Sequence, residues 1–221
     1  MIAKDLISEV ISPLFTSDTG NIALSWMEIH KVSHLPIVNN KQFLGLISES
    51  DIFDINSPDT PIGNHKLSLF SPFVFEDDHI YTIIALVKKL KLTVIPVLDH
   101  ENNYLGVITL QDLVYHFSNI INAEQPGGII ILEINIHDYM LSQIGQIVEE
   151  NNTKILSLYI NTNPNTTKLE VILKVNVIDV SAIIRTFIRY EYSIKASYSE
   201  ESGINDIYKS RYDSFLRYLN T

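Results

Sequence analysis

The chain reads as an α/β (α+β) protein of two unlike halves: a duplicated β-α-β-β-α unit, then a βαββαβ unit. Three observations carry that reading. A strand-turn-strand-helix pattern is written twice about sixty residues apart. Strict apolar alternation takes over after residue 128, and Gln125-Pro126-Gly127-Gly128 separates the two rhythms. A recurrence of this length marks a duplicated structural unit, and two such units make a symmetric body with a cleft between them.

The first copy runs His34-Leu35-Pro36-Ile37-Val38, then Phe43-Leu44-Gly45-Leu46-Ile47-Ser48, then Asp51. The second runs Val94-Ile95-Pro96-Val97-Leu98, then Tyr104-Leu105-Gly106-Val107-Ile108-Thr109, then Asp112. The prolines are 60 apart and the glycines and aspartates 61, so one residue is inserted between them. Each copy follows a short leading strand. Ser17 or Asp18 is the expected cap of a helix carrying Ile22, Ala23, Trp26, Met27 and His30 at helical spacing. Asp77 or Asp78 is expected to cap its counterpart, in which Ile83, Ile84, Val87 and Leu90 form one face. Pro36 and Pro96 are placed at strand beginnings, where a missing amide hydrogen costs least. Ser48 and Thr109 cap the closing helices. Asn56 to Asn64 forms a turn-rich loop between the copies.

After the Pro-Gly-Gly break, Ile130, Leu132, Ile134 and Ile136 alternate as a strand. Asp138 opens a helix with Leu141, Ile144, Ile147 and Val148. Leu156, Leu158 and Ile160 form a second strand, Asn163 to Thr167 turns the chain, and Leu169 to Val177 alternates without a break. Asp179 caps a helix with Val180, Ile183, Ile184, Phe187 and Ile188, and Ile194, Ala196 and Tyr198 close the set. That order is the ferredoxin-like split unit. A last amphipathic helix is expected over 204–221, with Tyr208, Tyr212, Phe215 and Leu219 on one face. The domains expected are 1–124 for the pair (about 1–60 and 61–124), a linker at 125–128, 129–203, and the helix at 204–221.

Composition removes whole classes of function. A formal charge of −10 with no basic stripe repels phosphate backbones and anionic lipid, so neither nucleic acid nor membrane is an expected partner. The chain has no cysteine, hence no disulfide and no thiol chemistry. The start, Met1-Ile2-Ala3-Lys4-Asp5, has no apolar signal core, and a cytoplasmic location is expected. The seven histidines lack acidic partners at ligand spacing, so no metal site is expected. No phosphate-cradling loop or nucleophile elbow occurs, and the chain reads as a non-enzyme.

The paired motifs, Gly45-Leu46-Ile47-Ser48-Glu49-Ser50-Asp51 and Gly106-Val107-Ile108-Thr109-Leu110-Gln111-Asp112, resemble those of a tandem of CBS domains (a Bateman module) over about residues 1–120. Residues 128 to about 200 resemble an ACT domain, and the domain order is similar to that of bacterial acetoin-utilisation regulatory proteins. The CBS resemblance implies that the hydroxyl-x-x-Asp strings hold the ribose and phosphate of an adenine ligand. Thr109 and Asp112, with Val107, would face a slot lined by Val32 and His34 of the other copy. Ser48 and Asp51, with Leu46, would face Leu92 and Val94. Before each apolar-Pro strand stand Ser33-His34 and Thr93-Val94, which offer one weak base, so AMP, adenosine or S-adenosylmethionine suits the cleft better than a triphosphate. The competing reading is that all four polar residues only cap helices.

ACT members that bind amino acids carry a glycine after the first strand; here Tyr139 occupies the place and is expected to close that pocket. Eight of the eleven tyrosines follow residue 138, which suits association. Two classes of function therefore stand. One is a homodimeric regulatory protein that senses an adenine metabolite and acts on a protein partner. The other is a ligand-free homodimeric assembly module, with amino-acid sensing through the ACT-like half as a further alternative.

Overall fold

In each of the two repeats a two-residue strand runs parallel to the first strand of a long antiparallel pair. A computed structural model of the chain describes residues 1–55, 57–65, 69–162 and 166–199. The chain divides at Phe117/Ser118 into two units, each with its own packing.

The first unit contains both repeats. Repeat one is β1 (Leu14–Phe15), α1 (Gly20–His30), β2 (His34–Asn39), β3 (Gln42–Ser48) and α2 (Glu49–Phe53). Repeat two is β4 (Val74–Phe75), α3 (Ile80–Leu90), β5 (Val94–Leu98), β6 (Tyr104–Thr109) and α4 (Leu110–Ile120), the last crossing the division between units. The sheets are ordered β1-β2-β3 and β4-β5-β6. Apolar side chains of the inner strands, such as Leu35, Ile37, Ile95 and Val97, are essentially fully buried. Continuous apolar runs are what strands covered on both faces require.

Three expectations change here. The helix caps are Thr19, whose side chain accepts from the Ile22 amide, and His79, which accepts from that of Tyr81. Asp18 and Asp78 instead close the turns after the leading strands, accepting from the Phe15 and Phe75 amides at 2.7 and 2.8 Å. Both residue types serve either role, so composition alone does not choose. Pro36 and Pro96 are the third residues of their strands, not the first. They are tolerated because the parallel partner strand begins one residue later, at Leu14↔Ile37 and Val74↔Val97.

The two repeats exchange their lead-in segments. Residues before β1 complete repeat two: the Ala3 and Lys4 amides donate to the Asp78 and Glu76 carbonyls, and the Ser8 amide donates to that of Val107. Residues before β4 complete repeat one, with the Leu46 amide donating to the Phe70 carbonyl. The motif glycines make this possible. Gly45 and Gly106 have φ of +150° and +158°, and a Cβ on Gly106 would stand 2.5 Å from Ile7 Cγ2. Only a residue without a side chain lets the crossing segment lie so close.

The second unit is a four-stranded antiparallel sheet with two helices on one face. Its elements are β7 (Gly128–Asn135), α5 (Leu141–Glu150), β8 (Ile155–Thr162), β9 (Lys168–Val175), α6 (Ser181–Arg189) and β10 (Ser193–Tyr198), with sheet order β10-β7-β9-β8. Ile130, Leu132, Val171 and Leu173 point from the strands onto Ile144, Ile147, Ile183 and Phe187 of the helices, all buried. Asp138 lies in a short 3-10 turn and accepts from the Asn135 side chain, so it does not cap α5. Asp179 accepts from the Ser181 amide, two residues on, and α6 starts later than expected.

The stretch expected as a linker, 125–128, is partly packed structure. A Cβ on Gly127 would stand 2.0 Å from the Val175 carbonyl oxygen, and Gly128 begins β7. The expected helix at 204–221, the end of the expected domain at 200–203, and Asn163–Asn165 of the expected turn lie outside the described residues.

Candidate functional site

Both hydroxyl-x-x-Asp strings fold as closed capping boxes. Ser48 ends β3 and starts α2: its Oγ accepts from the Asp51 amide at 3.1 Å, and its own amide donates to Asp51 Oδ2 at 2.7 Å. Thr109 ends β6 and starts α4: Oγ1 accepts from the Asp112 amide at 3.0 Å, and the Thr109 amide donates to Asp112 Oδ2 at 3.3 Å. Each hydroxyl also donates to the same carboxylate oxygen, at 2.6 Å in both copies. Two orphan helix-start amides are thereby satisfied per copy. The boxes engage Oδ2 of each aspartate and leave Oδ1 outside them.

Val94 and Val107 have no exposed surface, and Val32, Leu46 and Leu92 are buried. Ser48, Asp51, Asp112 and His34 are half-buried, and Thr109 is 7% exposed.

His34 is oriented by the opposite repeat. Its Nδ1 lies 3.1 Å from Thr93 Oγ1, the hydroxyl that also accepts from the Ser33 amide at 3.0 Å. Burial lowers the His34 pKa, and the Asp51 carboxylate works against that by favouring the cation. The expectation grouped His34 with Thr109 and Asp112; its hydrogen bond is to Thr93, and its electrostatic neighbour is Asp51 of its own repeat.

Sequence reading missed the contacts between equivalent positions of the two repeats. Ser33 meets Thr93, its counterpart sixty residues on. Phe43 stacks on Tyr104, its counterpart in the second copy, with ring centroids 6.4 Å apart, beside an antiparallel bridge between Gln42 and Asn103. Residues that touch their own symmetry mates lie on the pseudo-twofold axis, so the axis passes through both places. The Tyr104 hydroxyl is buried without a hydrogen-bond partner among the described residues, and burial pushes its pKa up. The signal was present in the 60- and 61-residue offsets, which pair these positions.

Among the described residues no group of three or more histidine or acidic side chains is arranged to hold a metal ion. Among them, too, no helix is long and apolar enough to cross a membrane. In the second unit a polar cavity of about 470 Å³ lies between the end of β7 and the α6–β10 turn, lined by Glu133, Asp138, Gln143, Lys168, Tyr190 and Tyr192 among others. The Tyr192 hydroxyl donates to Gln143 Oε1 at 2.7 Å, and Lys168 holds the Glu133 carboxyl below the usual range. Tyr139 packs against the hydrophobic core of this unit.

Residues 21–57 and 70–119 match the family model of the CBS domain. Over 117 residues the chain is 24% identical to a homoserine O-acetyltransferase from Methanococcus vannielii, covering 51% of this chain and 24% of that protein. Over 115 residues it is 27% identical to an inosine-5'-monophosphate dehydrogenase from Methanocaldococcus jannaschii, covering 52% of this chain and 22% of that one. The matches thus span about a quarter of the length of these relatives. A crystal structure of a CBS domain pair/ACT domain protein from Thermotoga maritima is 23% identical, with a TM-score of 0.48, covering 54% of this chain and 98% of that chain. Residues 21–57 and 70–119 thus form a tandem pair of CBS domains.

Proposed function

We propose that the CBS pair senses an adenine-containing metabolite, of the AMP, adenosine or S-adenosylmethionine type, and that the chain is a non-catalytic cytoplasmic regulator. The observation that carries this reading is the doubled capping box. Two symmetry-related helix starts each present a hydroxyl and a carboxylate with one oxygen outside the box. A carboxylate in that position accepts hydrogen bonds from both hydroxyls of a ribose, and backbone amides at a helix start suit phosphate oxygens. The ligand positions are Thr109, Asp112 and Val107 with Val32 and His34, and Ser48, Asp51 and Leu46 with Leu92 and Val94. His34 is the sole base in this set and its protonation is disfavoured, which favours ligands with little phosphate charge. Binding would bias the packing of the two repeats, and an ACT-like second unit would fix a homodimer or pass the change to a protein partner. The βαββαβ order with sheet order β10-β7-β9-β8 supports the ACT-like assignment.

The test is a thermal-shift screen of the full chain with AMP, ADP, ATP, adenosine and S-adenosylmethionine. A ligand specific for the folded state at a hundred times its Kd adds about 2.7 kcal/mol and raises the melting temperature. No shift with any of the five overturns the reading.

Two observations favour other readings. The hydroxyls and carboxylates already satisfy one another, which suits a ligand-free assembly module. The polar cavity beside Asp138 and Gln143 suits an amino-acid sensor, since Tyr139 is not among its lining residues. Light scattering should give about twice the 25.2 kDa chain mass under either reading that requires a dimer.

A further inference from the structure

The two capping boxes start helices of unlike reach. Ser48 and Asp51 open α2, which has five residues and lies wholly within the first unit. Thr109 and Asp112 open α4, which has eleven residues, about 16 Å at 1.5 Å per residue. The second unit begins at Ser118, so α4 starts in one unit and ends in the other.

The start of α4 is tied to the packing of the repeats. The Leu110 amide donates to the Thr93 carbonyl at 3.1 Å. Thr93 is also the residue whose hydroxyl meets Ser33 and His34 of repeat one.

The end of α4 is tied to the sheet of the second unit. Asn122, left-handed at φ +53°, closes the helix, and the Ala123 amide returns to the Ser118 carbonyl at 2.9 Å. Lys174 of β9 donates its ammonium to the carbonyls of Asn122 and Ala123. That places a cation where the helix dipole is negative. From β8, the Leu156 carbonyl accepts from the Asn122 side chain at 2.9 Å. Leu156 lies between Ile155 and Ser157, where the register with β9 shifts, and such a bulge turns backbone groups out of the ladder. Apolar contact adds to this, since Ile121 and Ala123 line a cavity of about 250 Å³ with Ile129, Tyr159 and Ile172.

We propose that α4 couples the Thr109–Asp112 box to the second unit, with Lys174 as the clamp, and that the Ser48–Asp51 box is not coupled in this way. A change at one end of an element reaches the other only where both ends are engaged. α4 meets that condition, and α2 ends without leaving the first unit. The two boxes are thereby unequal. Occupancy at Thr109 and Asp112 is passed on, and occupancy at Ser48 and Asp51 stays within the pair. This regulatory consequence rests on the adenine-sensing reading above, but the coupling itself belongs to the chain without ligand.

Hydrogen exchange on the ligand-free full chain tests the coupling apart from any ligand. With Asp112→Ala the amides of 118–124, 154–158 and 172–176 should exchange about two- to fivefold faster, in keeping with loss of a helix cap. Asp51→Ala, the matching change in the other box, should leave all three segments at wild-type rates. In a Lys174→Met background, adding Asp112→Ala should speed α4 with no further change at 154–158 or 172–176. Thr109→Ala set against Ser48→Ala makes the same comparison should Asp112→Ala unfold the chain. Wild-type rates in the second unit of the Asp112 and Thr109 variants overturn the proposal. So does an equal response to the matching changes in both boxes, or an Asp112→Ala effect that Lys174→Met leaves undiminished. Failure of every adenine ligand in the thermal-shift screen would remove the ligand and leave the coupling standing.

Discussion

His34 is the side chain whose surroundings differ most from what its neighbours in sequence suggest. It is half-buried, bonded to Thr93 across the pseudo-twofold axis, and close enough to Asp51 to feel its charge. Its pKa is lowered in the folded state because burial outweighs that carboxylate. The unfolded chain therefore binds a proton at His34 more readily than the folded one, so between the folded value and the ordinary value near 6.5 stability rises with pH. His34 should thus cost the fold nothing at pH 7.5 and destabilise it increasingly as pH falls through about 6.5. Urea midpoints at pH 7.5 and 5.5 check this: the drop should be smaller in His34→Gln than in wild type. An equal drop would assign the pH dependence to other groups. No local pattern marked His34 or Thr93 in this role, since their contact joins residues 59 apart in the chain.

At the scale of elements, the duplicated motif made most of the first unit legible. The strand pairs, the turns and the helix starts at Ser48 and Thr109 lie where apolar runs and capping residues put them. The caps of α1 and α3 were not legible, because Asp18 stands beside Thr19 and Asp78 beside His79, and several of these can satisfy a helix start. The exchange of lead-in segments was also hidden, since no periodicity records which repeat a short extended segment will join. The glycines were visible, but their reason was not. Gly106 is needed because Ile7 lies where its side chain would be. Gly106→Ala should therefore destabilise the chain by about 1–3 kcal/mol, the usual cost of overpacking, compounded by the positive φ. Denaturant unfolding measures the loss directly, and Ile7→Ala should recover part of it, because the two changes meet in space. Full additivity of the two substitutions would place the glycine's role elsewhere.

For the whole molecule, the sequence marked two halves but placed their boundary several residues late. The division falls within α4, which continues past the last residue of the motif, and Gly127 and Gly128 are packed against the end of β9 and the segment between β9 and α6. Of the candidate site the sequence shows the residue types, and the geometry adds that each hydroxyl is bonded to its carboxylate. Ligand binding would then use the carboxylate oxygen outside the box, leaving the helix start intact. Titration calorimetry on the full chain with AMP, adenosine and S-adenosylmethionine tests this most directly. At least one should bind saturably, and Asp51→Ala or Asp112→Ala should weaken it about 10- to 100-fold, the loss of charge-assisted hydrogen bonds worth about 1.5–3 kcal/mol. Binding of none of the three, or unchanged affinity in both variants, would contradict the account and leave the two aspartates as helix caps alone.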